Sequence, residues 1–450
     1  MKKYKIFIIM LFVMVMGMSM AMENLTAPAY GAEVEIPSSF NPVGSGARAL
    51  GMGGAFIAVA DDATAASWNP GGLTQLKKPE CSLVGAFYHR EEDLTFGTNP
   101  EADGSHSISD SNINYLSASY PFEAFDRNMI VSLSYQHLYD FNREAKYLLN
   151  QTVGIQTRSD EWNYEQSGSL SAIGLSYGIR VIPNLSLGFT LNFWDDDLTP
   201  NHWDVKNRKI SAATISMPET DMSIPATERL DRIEDYSIGG FNFNVGFLWR
   251  INYKWTLGGV LKSPFKADVE YKNQTHSEIT PQFYEPFSQS YVREDELEMP
   301  MSYGLGLVYN ISDNFSISGD VYRTEWSDCV YKNANGNEIS PITGGSASDV
   351  EPTHQIRIGG EYRFINEENG YLVPVRAGFF YDPAPAEGSP DDFYGFAVGV
   401  GFTKNDWLSI DIVYQYRFGN DVGDHLIKGY NFSQEVKEHT LYLSMIWYKF

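Results

Sequence analysis

The sequence contains little cysteine and little basic charge. Only two cysteines, Cys81 and Cys329, occur in 450 residues, so a disulfide framework does not stabilise this chain. Lysine and arginine number 33 against 57 aspartates and glutamates, which gives a net charge of −24. This charge disfavours nucleic acids and anionic membrane surfaces as partners. The eight histidines show no metal-ligand spacing, and we expect no metal ion, no cofactor and no nucleic acid.

Long apolar runs are also missing beyond the N-terminus. No later run approaches the roughly 20 residues that a membrane-spanning helix needs. Residues 1–21 place Lys2, Lys3 and Lys5 before an apolar run and a small-x-small site, which is typical of a cleaved signal peptide. Small residues as late as position 32 allow a later cleavage site. We therefore expect an exported chain without a helical anchor.

Alternating apolar and polar residues are abundant in the rest of the chain. Between positions 185 and 194, Leu187 and Phe189 share one parity, whereas Ser186 and Thr190 share the other. A period of two predicts a strand with one apolar face. Fourteen segments share this alternation: 80–90, 112–121, 128–140, 168–182, 185–194, 236–251, 255–271, 299–310, 315–326, 354–364, 371–381, 393–402, 407–419 and 439–450.

The connections between these segments alternate in length. Six are short: 122–127, 183–184, 252–254, 311–314, 365–370 and 403–406. The seven between them are longer: 91–111, 141–167, 195–235, 272–298, 327–353, 382–392 and 420–438. Short turns at one rim and long loops at the other are typical of outer-membrane barrels, whereas a soluble sandwich has no reason to sort its loops. We predict an all-β fold, a 14-stranded antiparallel transmembrane β-barrel over residues 80–450, in the bacterial outer membrane.

Residues 33–79 precede the first strand and lack its periodicity. A barrel of this width is a channel unless something occupies its lumen. Glycines in this segment permit close packing, and Arg48, Asp61, Asp62 and Asn69 can pair with a polar wall. We predict an N-terminal plug inside the barrel. The "GMGGAF" stretch lacks the lysine of a phosphate-binding loop.

The stretch "GARALGMGGAFIAVADDATAASWNPGGL" at 46–73 resembles the N-terminal hatch of a known family. That family comprises FadL-type outer-membrane transporters of long-chain fatty acids and TodX-type relatives that admit aromatic hydrocarbons. Similar matches are "LKSPFKADVEY" at 261–271, "GDVYRTEWSD" at 319–328, "RIGGEYRF" at 357–364 and "VRAGFFYDPAPAEG" at 375–388. The resemblance assigns the following residues to the hatch: Arg48, Gly53, Gly54, Phe56, Asp61, Asp62, Asn69, Pro70 and Gly71.

The resemblance implies passive uptake of a hydrophobic compound and no enzymatic activity. Outer loops would capture the compound, a lumenal pocket would hold it, and hatch movement would precede sideways exit through the wall. The third predicted strand, 128–140, lacks the glycine or proline that usually marks such an opening. The implied partners are a fatty acid or aromatic hydrocarbon together with outer-membrane lipid and lipopolysaccharide, and the chain would act as a monomer. The alternative is a non-transporting barrel subunit of a secretion or surface-attachment machine.

Two sets of side chains are candidates for ligand binding. The apolar set lies on the predicted loops 195–235 and 272–298; its members are Trp203, Ile210, Ile215, Phe283, Tyr284, Phe287 and Tyr291. The alternative is that these groups pack against one another. For a carboxylate head group the candidates are Arg180 and Arg376. The alternative is a ladder of wall salt bridges with inward acids such as Glu361 and Asp411.

Overall fold

The computed structural model describes residues 44–217, 222–281, 285–346, 349–404 and 407–448. The predicted signal peptide lies outside these ranges. The strands are β1 (Glu80–Phe96), β2 (Gly104–Ala124), β3 (Arg127–Asp140), β4 (Arg143–Val153), β5 (Gln156–Ile182), β6 (Leu185–Trp194), β7 (Asn201–Met217), β8 (Met222–Arg250), β9 (Trp255–Lys262), β10 (Phe265–Thr280), β11 (Phe287–Met299), β12 (Ser302–Ser312), β13 (Phe315–Thr324), β14 (Val330–Lys332), β15 (Glu338–Ile339), β16 (Thr353–Asn366), β17 (Tyr371–Tyr381), β18 (Tyr394–Lys404), β19 (Leu408–Val422) and β20 (Phe432–Trp447). Short helical segments span Ala47–Gly51, Ala65–Trp68, Pro70–Gln75, Pro100–Ala102 and Trp326–Asp328. None of the helices in the described ranges is long and apolar enough to cross a membrane.

These segments form a closed antiparallel barrel. The first and last strands, β1 and β20, pair from Cys81–Trp447 to Phe96–Phe432 and close the sheet. Five wall strands are interrupted by short breaks, namely β3 with β4, β6 with β7, β9 with β10, β11 with β12 and β13 with β14. The two-residue β15 pairs only with β14. The described residues therefore form a wall of fourteen strands, and the prediction is confirmed.

The two faces of the wall differ as the alternation predicted. On β6, Leu187 and Phe189 are 44% and 39% exposed on the outer surface, whereas Thr190 is 2% exposed on the inner face. An outer apolar band suits contact with lipid. Large apolar side chains thus occupy the outside of the barrel, and small polar ones face the lumen.

Four of the seven predicted long loops are wrong, because they consist largely of paired strand. The predicted loop 195–235 contains β7 and the outer half of β8, paired from His202–Ser237 to Met217–Met222. The predicted loop 141–167 contains the β4–β5 hairpin. Pairing likewise continues through 91–111 and 272–298. Beyond the lipid, the outer face meets water, so the apolar alternation fades while the backbone pairing continues.

The segment before β1 crosses the lumen. Its first helix, Ala47–Gly51, packs against β17, β18 and β19, whereas the helical turn Pro70–Gln75 packs against β5, β6 and β8. These strands lie on opposite sides of the barrel. Most described side chains of this segment, residues 44–79, are buried, as expected of a hatch, and we refer to these residues as the hatch.

Candidate functional site

Glycines on the inner wall allow the hatch backbone to lie directly against the sheet. A β-carbon on Gly188 would lie 2.2 Å from the carbonyl oxygen of Pro70, and one on Gly258 would lie 2.5 Å from that of Ile57. A β-carbon on Gly378 would lie 2.2 Å from the backbone nitrogen of Gly53. Any larger residue at these positions would push the hatch away from the wall. These glycines occupy inward-facing positions of the predicted strands. That pattern could have indicated where the hatch packs against the wall.

Polar wall side chains bind the hatch turn that follows Gly53. Asp320 Oδ2 accepts hydrogen bonds from the backbone nitrogens of Phe56 and Ile57, at 2.7 and 2.9 Å. Ser318 Oγ donates to the carbonyl oxygen of Ala55 at 2.7 Å. A fourth contact comes from Arg357, whose Nη1 donates to the Gly53 carbonyl oxygen at 3.3 Å. These contacts satisfy backbone groups that would otherwise be buried without partners.

Asn69 connects two hatch turns to the wall. Its Nδ2 donates to the carbonyl oxygens of Ile57 and Phe247, both at 2.8 Å. Its Oδ1 accepts from the backbone nitrogen of Gly71 at 3.0 Å and so starts the helical turn at Pro70. The amide supplies donors and an acceptor within one side chain, which accounts for asparagine in the Asn-Pro-Gly motif.

Arg48 is the centre of an ion network between hatch and wall. Its Nη1 donates to Asp61 Oδ1 at 2.5 Å, and its Nε donates to Glu361 Oε2 at 3.0 Å. Burial alone would lower the pKa of Arg48, but Asp61, Glu361 and Asp62 together raise it well above its ordinary value. Burial raises the pKa of Asp62, while the neighbouring Arg48 opposes this shift. The network therefore keeps Arg48 charged in a buried place.

The two arginines predicted to bind a head group lie apart and already have protein partners. Arg376 Nε donates to Glu361 Oε2 at 2.7 Å, and its Nη1 donates to Asp411 Oδ1 at 2.5 Å. Arg180 Nη2 donates to the carbonyl oxygen of Thr74 at 3.0 Å. These contacts favour the salt-bridge and hatch-ordering alternative for both side chains.

The described apolar candidates lie in strands, and two of them, Trp203 and Tyr291, belong to one buried cluster. Trp203 is fully buried and stacks on Tyr236, with ring centroids 4.7 Å apart. Ile215 is buried on the same face of β7, whereas Ile210 has the opposite parity and faces outwards. Tyr291 packs inwards on the same cluster, and Phe287 at the end of β11 is 44% exposed. Phe283 and Tyr284 lie outside the described residues.

Aromatic residues that the sequence did not single out complete a continuous row. Phe141 contacts Trp203 at 5.1 Å, Tyr236 contacts Tyr271 at 4.9 Å, and Tyr271 contacts Tyr291 at 5.9 Å between ring centroids. We call these five residues, Phe141, Trp203, Tyr236, Tyr271 and Tyr291, the aromatic belt. Three of them, Trp203, Tyr236 and Tyr271, lie opposite one another on β7, β8 and β10. Cross-strand register brings them together, which no local pattern reveals.

A cavity lies between the hatch and the wall. It offers about 20 Å³ to the centre of a water-sized sphere, which is room for a single water molecule. We call it the hatch pocket; its lining residues are Gly44, Gly54, Ile57, Ser67, Trp68, Lys262, Asp320, Tyr322 and Arg357. Asp320 and Arg357 therefore both contact the hatch backbone and line this pocket.

The wall is interrupted between β2 and the strand formed by β3 and β4. Backbone pairing of β2 with β3 runs from Ala124–Arg127 to Tyr115–Gln136 and ends there. In this fully described stretch, the outer part of β2 pairs only with β1, and β4 pairs only with β5. Side chains bridge the two strands instead: Asn142 Nδ2 donates to Asp110 Oδ2 at 2.9 Å. We call this opening, between residues 104–114 and 142–146, the wall gap.

The strands beside the wall gap pair irregularly, although the third predicted strand contains no glycine or proline. The register of β3 against β5 shifts between His137 and Tyr139, and that of β1 against β2 shifts between Val84 and Gly85. Such bulges bend strands and re-aim side chains. The absence of glycine and proline from the third strand therefore did not exclude an opening.

A second small cavity lies directly behind the wall gap. We call it the gap chamber; it is lined by Arg90, Glu92, His106, Ser107, Ile108, Asn142, Arg143 and Glu144. These residues come from β1, β2, the break between β3 and β4, and the start of β4. This cavity offers about 10 Å³ to the centre of a water-sized sphere, so it holds at most a single water molecule.

The family model for the outer membrane protein transport protein (OMPP1/FadL/TodX) matches residues 38–427. The chain belongs to this family. Its members are outer-membrane transport proteins, which agrees with the barrel and the hatch described above. No curated protein matched the sequence.

Solved structures of FadL- and TodX-type proteins share this fold. A Pseudomonas aeruginosa FadL homologue is 15% identical, with a TM-score of 0.60 over 91% of this chain and 99% of that one. The Pseudomonas putida toluene transporter TodX is 14% identical, with a TM-score of 0.56 over 92% and 100%. The CymD monoaromatic hydrocarbon channel is 16% identical, with a TM-score of 0.53 over 91% and 98%. At these low sequence identities, the similarity to the solved structures shows that this chain shares their fold.

Proposed function

We propose that this protein admits hydrophobic molecules passively through the outer membrane and releases them sideways through the wall gap. Two observations support this proposal: the hatch packs directly against the inner wall, and backbone pairing is missing between β2 and β4. A hatch docked against β6, β9 and β17 at backbone distance leaves little axial space. The unpaired stretch between β2 and β4 is the alternative way out.

The aromatic belt is the proposed contact surface for an apolar ligand, which would have to separate rings that are packed together, since Trp203 is 0% and Tyr236 1% exposed. The aromatic belt extends from Tyr291, near the outer end of β11, to Phe141, beside the wall gap. Aromatic rings bind apolar and aromatic molecules through burial and stacking. Trp203 and Tyr291 belong to the aromatic belt, and we propose that both capture the ligand. The related structures named as a toluene transporter and a monoaromatic hydrocarbon channel support a hydrophobic cargo.

The wall gap begins where the outer apolar surface ends. On β2, Leu116 and Ile113 are 40% and 50% exposed, and serines 105, 107, 109 and 111 continue the outer face beyond them. About ten residues of a tilted strand cross the apolar layer, and β2 and β3 pair over ten residues, from Tyr115 to Ala124 on β2. A molecule that leaves through the gap would therefore enter lipid at the outer edge of the apolar layer.

A reversible clamp across the gap tests this route. In a Cys81→Ser, Cys329→Ser background, the pair Asp110→Cys and Asn142→Cys would be joined by a short bis-methanethiosulfonate reagent. We expect uptake of radiolabelled toluene and oleate into cells to fall when the pair is joined, and to recover after reduction. Oligomeric state and surface level would be measured in the same cells.

The matched control is a clamp where β2 and β3 are already paired. Ala118 and Leu133 lie directly opposite each other on the outer face, and joining Ala118→Cys to Leu133→Cys should leave uptake unchanged. Undiminished uptake with a complete clamp at positions 110 and 142 would rule out the gap as the exit. Absence of uptake of either probe by the unmodified protein would rule out the proposed transport of hydrophobic molecules.

A further inference from the structure

Two buried carboxyl groups meet where the hatch lies against the first strand of the wall. Asp62 belongs to the hatch and is 4% exposed, and Glu80 is the first residue of β1 and is 6% exposed. The two groups interact electrostatically. We call Asp62 and Glu80 the carboxyl pair. It has one member on the hatch and one on the wall, so its protonation affects how firmly the two parts hold together.

Hydrogen bonds fix the hatch turn that presents Asp62 to the wall. Asp62 Oδ1 accepts from the backbone nitrogen of Thr64 at 2.8 Å and from Thr64 Oγ1 at 2.6 Å. Tyr115 Oη and Ser117 Oγ of β2 both donate to the carbonyl oxygen of Ala63 at 3.1 Å. Moving Asp62 away from Glu80 therefore also breaks contacts between the hatch and β2.

Each member of the carboxyl pair has an oxygen without a hydrogen-bond donor. In the described part of the chain, neither Asp62 Oδ2 nor Glu80 Oε2 accepts a hydrogen bond. A buried polar atom without a partner costs about 1–3 kcal/mol, and more when it is charged. A buried carboxylate without partners takes up a proton instead of remaining ionised. One proton bound by the pair would supply the missing donor and remove one of the two charges.

Arg48 does not neutralise the carboxyl pair. Its Nη1 donates to Asp61 Oδ1 and lies 3.7 Å from Asp62 Oδ2, which is too far for a hydrogen bond. Its Nε and Nη2 donate to the two oxygens of Glu361. All three nitrogens of the guanidinium therefore already bind other carboxylates. Burial raises the pKa of Asp62, and although Arg48 opposes this shift, Asp61 adds to it.

The surroundings of the pair favour a proton over a metal ion. Within the ranges that the structure describes, no group of three or more histidine, cysteine, aspartate or glutamate side chains could hold a metal. Calcium and magnesium ions take six or more oxygen ligands, whereas a proton needs two. The other ionisable groups that face the pair are Arg48, Asp61, Tyr115 and Tyr448.

We propose that the carboxyl pair holds one proton while the hatch is docked, and that loss of this proton at higher pH loosens the hatch from β1. Neighbouring buried carboxylates repel each other when both are ionised, so that they titrate together and retain one proton. Undocking would expose both groups to water, where each ionises at an ordinary pKa of about 4. Above that range, the docked hatch therefore binds one proton more than the undocked hatch.

The direction of the pH dependence follows from this difference in bound protons. The state that binds more protons becomes more stable as the pH falls and less stable as the pH rises. With a difference of one proton, the ratio of undocked to docked hatch changes at most about tenfold per pH unit. We therefore expect the hatch to be held most firmly in acid. This device acts on the hatch alone and does not depend on the cargo or on the wall gap.

The test measures the ion conductance of the exported protein in planar bilayers between pH about 5 and about 9. We expect the conductance of the unmodified protein to rise with pH. Asp62→Asn mimics the protonated pair, because the asparagine Oδ1 still accepts both bonds from Thr64 and its Nδ2 can donate to Glu80. Glu80→Gln mimics it from the wall side. Both variants should keep the conductance low over the whole range.

The matched control is Glu367→Gln. Glu367 is an exposed carboxyl group in the turn between β16 and β17, so this change removes one acid without altering a buried one. The variant should retain the pH dependence of the unmodified protein. Heat-modifiable electrophoretic mobility, measured at each pH, would verify that every barrel is folded.

Infrared spectroscopy would detect the proton itself. A protonated carboxyl group has a carbonyl stretching band that is distinct from the bands of a carboxylate. In the unmodified protein, this band should disappear over the same pH range in which the conductance rises. The double variant Asp62→Asn, Glu80→Gln should lack this change.

Three results would overturn the proposal. The first is a conductance of the unmodified protein that does not depend on pH. The second is a pH dependence that persists in Asp62→Asn or in Glu80→Gln. The third is a conductance that responds to added calcium at constant pH without the infrared change, since the pair would then bind a cation instead of a proton.

Discussion

Gly359 of β16 faces Met52 of the hatch so closely that a β-carbon on the glycine would lie 2.1 Å from the methionine carbonyl oxygen. The neighbouring Gly360 points to the outer face, where the nearest atom to an added β-carbon is 3.4 Å away. The two adjacent glycines thus lie on opposite faces of the wall, and only Gly359 contacts the hatch. This contrast permits a matched test of how the hatch closes the barrel.

Gly359→Ala should displace the hatch from its seat. Overpacking of this kind costs about 1–3 kcal/mol, and backbone atoms of the hatch cannot rotate away as a side chain could. We expect a measurable rise in ion conductance in planar bilayers, whereas Gly360→Ala should conduct as the unmodified protein does. Equal conductance of all three proteins would show that this contact does not keep the hatch closed.

Arg48→Met should destabilise the hatch strongly. The change leaves Glu361 without one of its two nearest guanidinium partners, Arg48 at 3.0 Å and Arg376 at 2.7 Å, and loss of one member of a buried ion pair costs about 3–5 kcal/mol. Limited proteolysis from the periplasmic side should then cleave the hatch faster. The double variant Arg48→Met, Glu361→Gln should recover part of the protection, because the buried Glu361 carboxylate is removed and only Asp61 and Asp62 are left without Arg48; no recovery would contradict the assigned role of the Arg48–Glu361 ion pair.

Acidification should loosen the loop that contains His425, between β19 and β20. Burial lowers the pKa of His425 to about 4, against the raising effect of Asp424 and with a smaller lowering effect of Arg143. Above the ordinary value of about 6.5, the ring is neutral in the folded and unfolded states. Between about 6.5 and about 4 the unfolded state binds the proton more readily, so stability falls as the pH falls.

Amide hydrogen exchange of residues 423–431, corrected for intrinsic rates, would measure this effect. Exchange should accelerate as the pH falls from about 6.5 towards about 4, and His425→Leu should remove this dependence. The same pH dependence in His425→Leu would mean that another group is responsible.

Much of the wall was predictable because residues that face lipid are apolar and alternate along each strand with residues that face the lumen. Leu187 and Phe189 alternate with Ser186 and Thr190, and each lies on the predicted face. The predicted loops failed beyond the lipid, as in the β7–β8 hairpin, because the outer face there is polar and the inner face mixes apolar residues such as Trp203 and Ile215 with polar ones such as Lys209 and Ser211. The aromatic belt was missed for a related reason, since Phe141 and Tyr236 become neighbours of Trp203 only through strand register.

Local sequence determined the alternation, the number of wall strands and the small-residue hatch, because each follows from chain length, parity or glycine content. The tertiary structure alone decided where the wall opens and where its charges meet. Pairing between β2 and β3 stops at Tyr115 and Gln136, and Arg90 approaches Glu438 only because the first strand closes the barrel against the last. Both features depend on pairing and burial in the closed barrel, and the second joins residues that lie more than 300 positions apart in the sequence; no local pattern contains either.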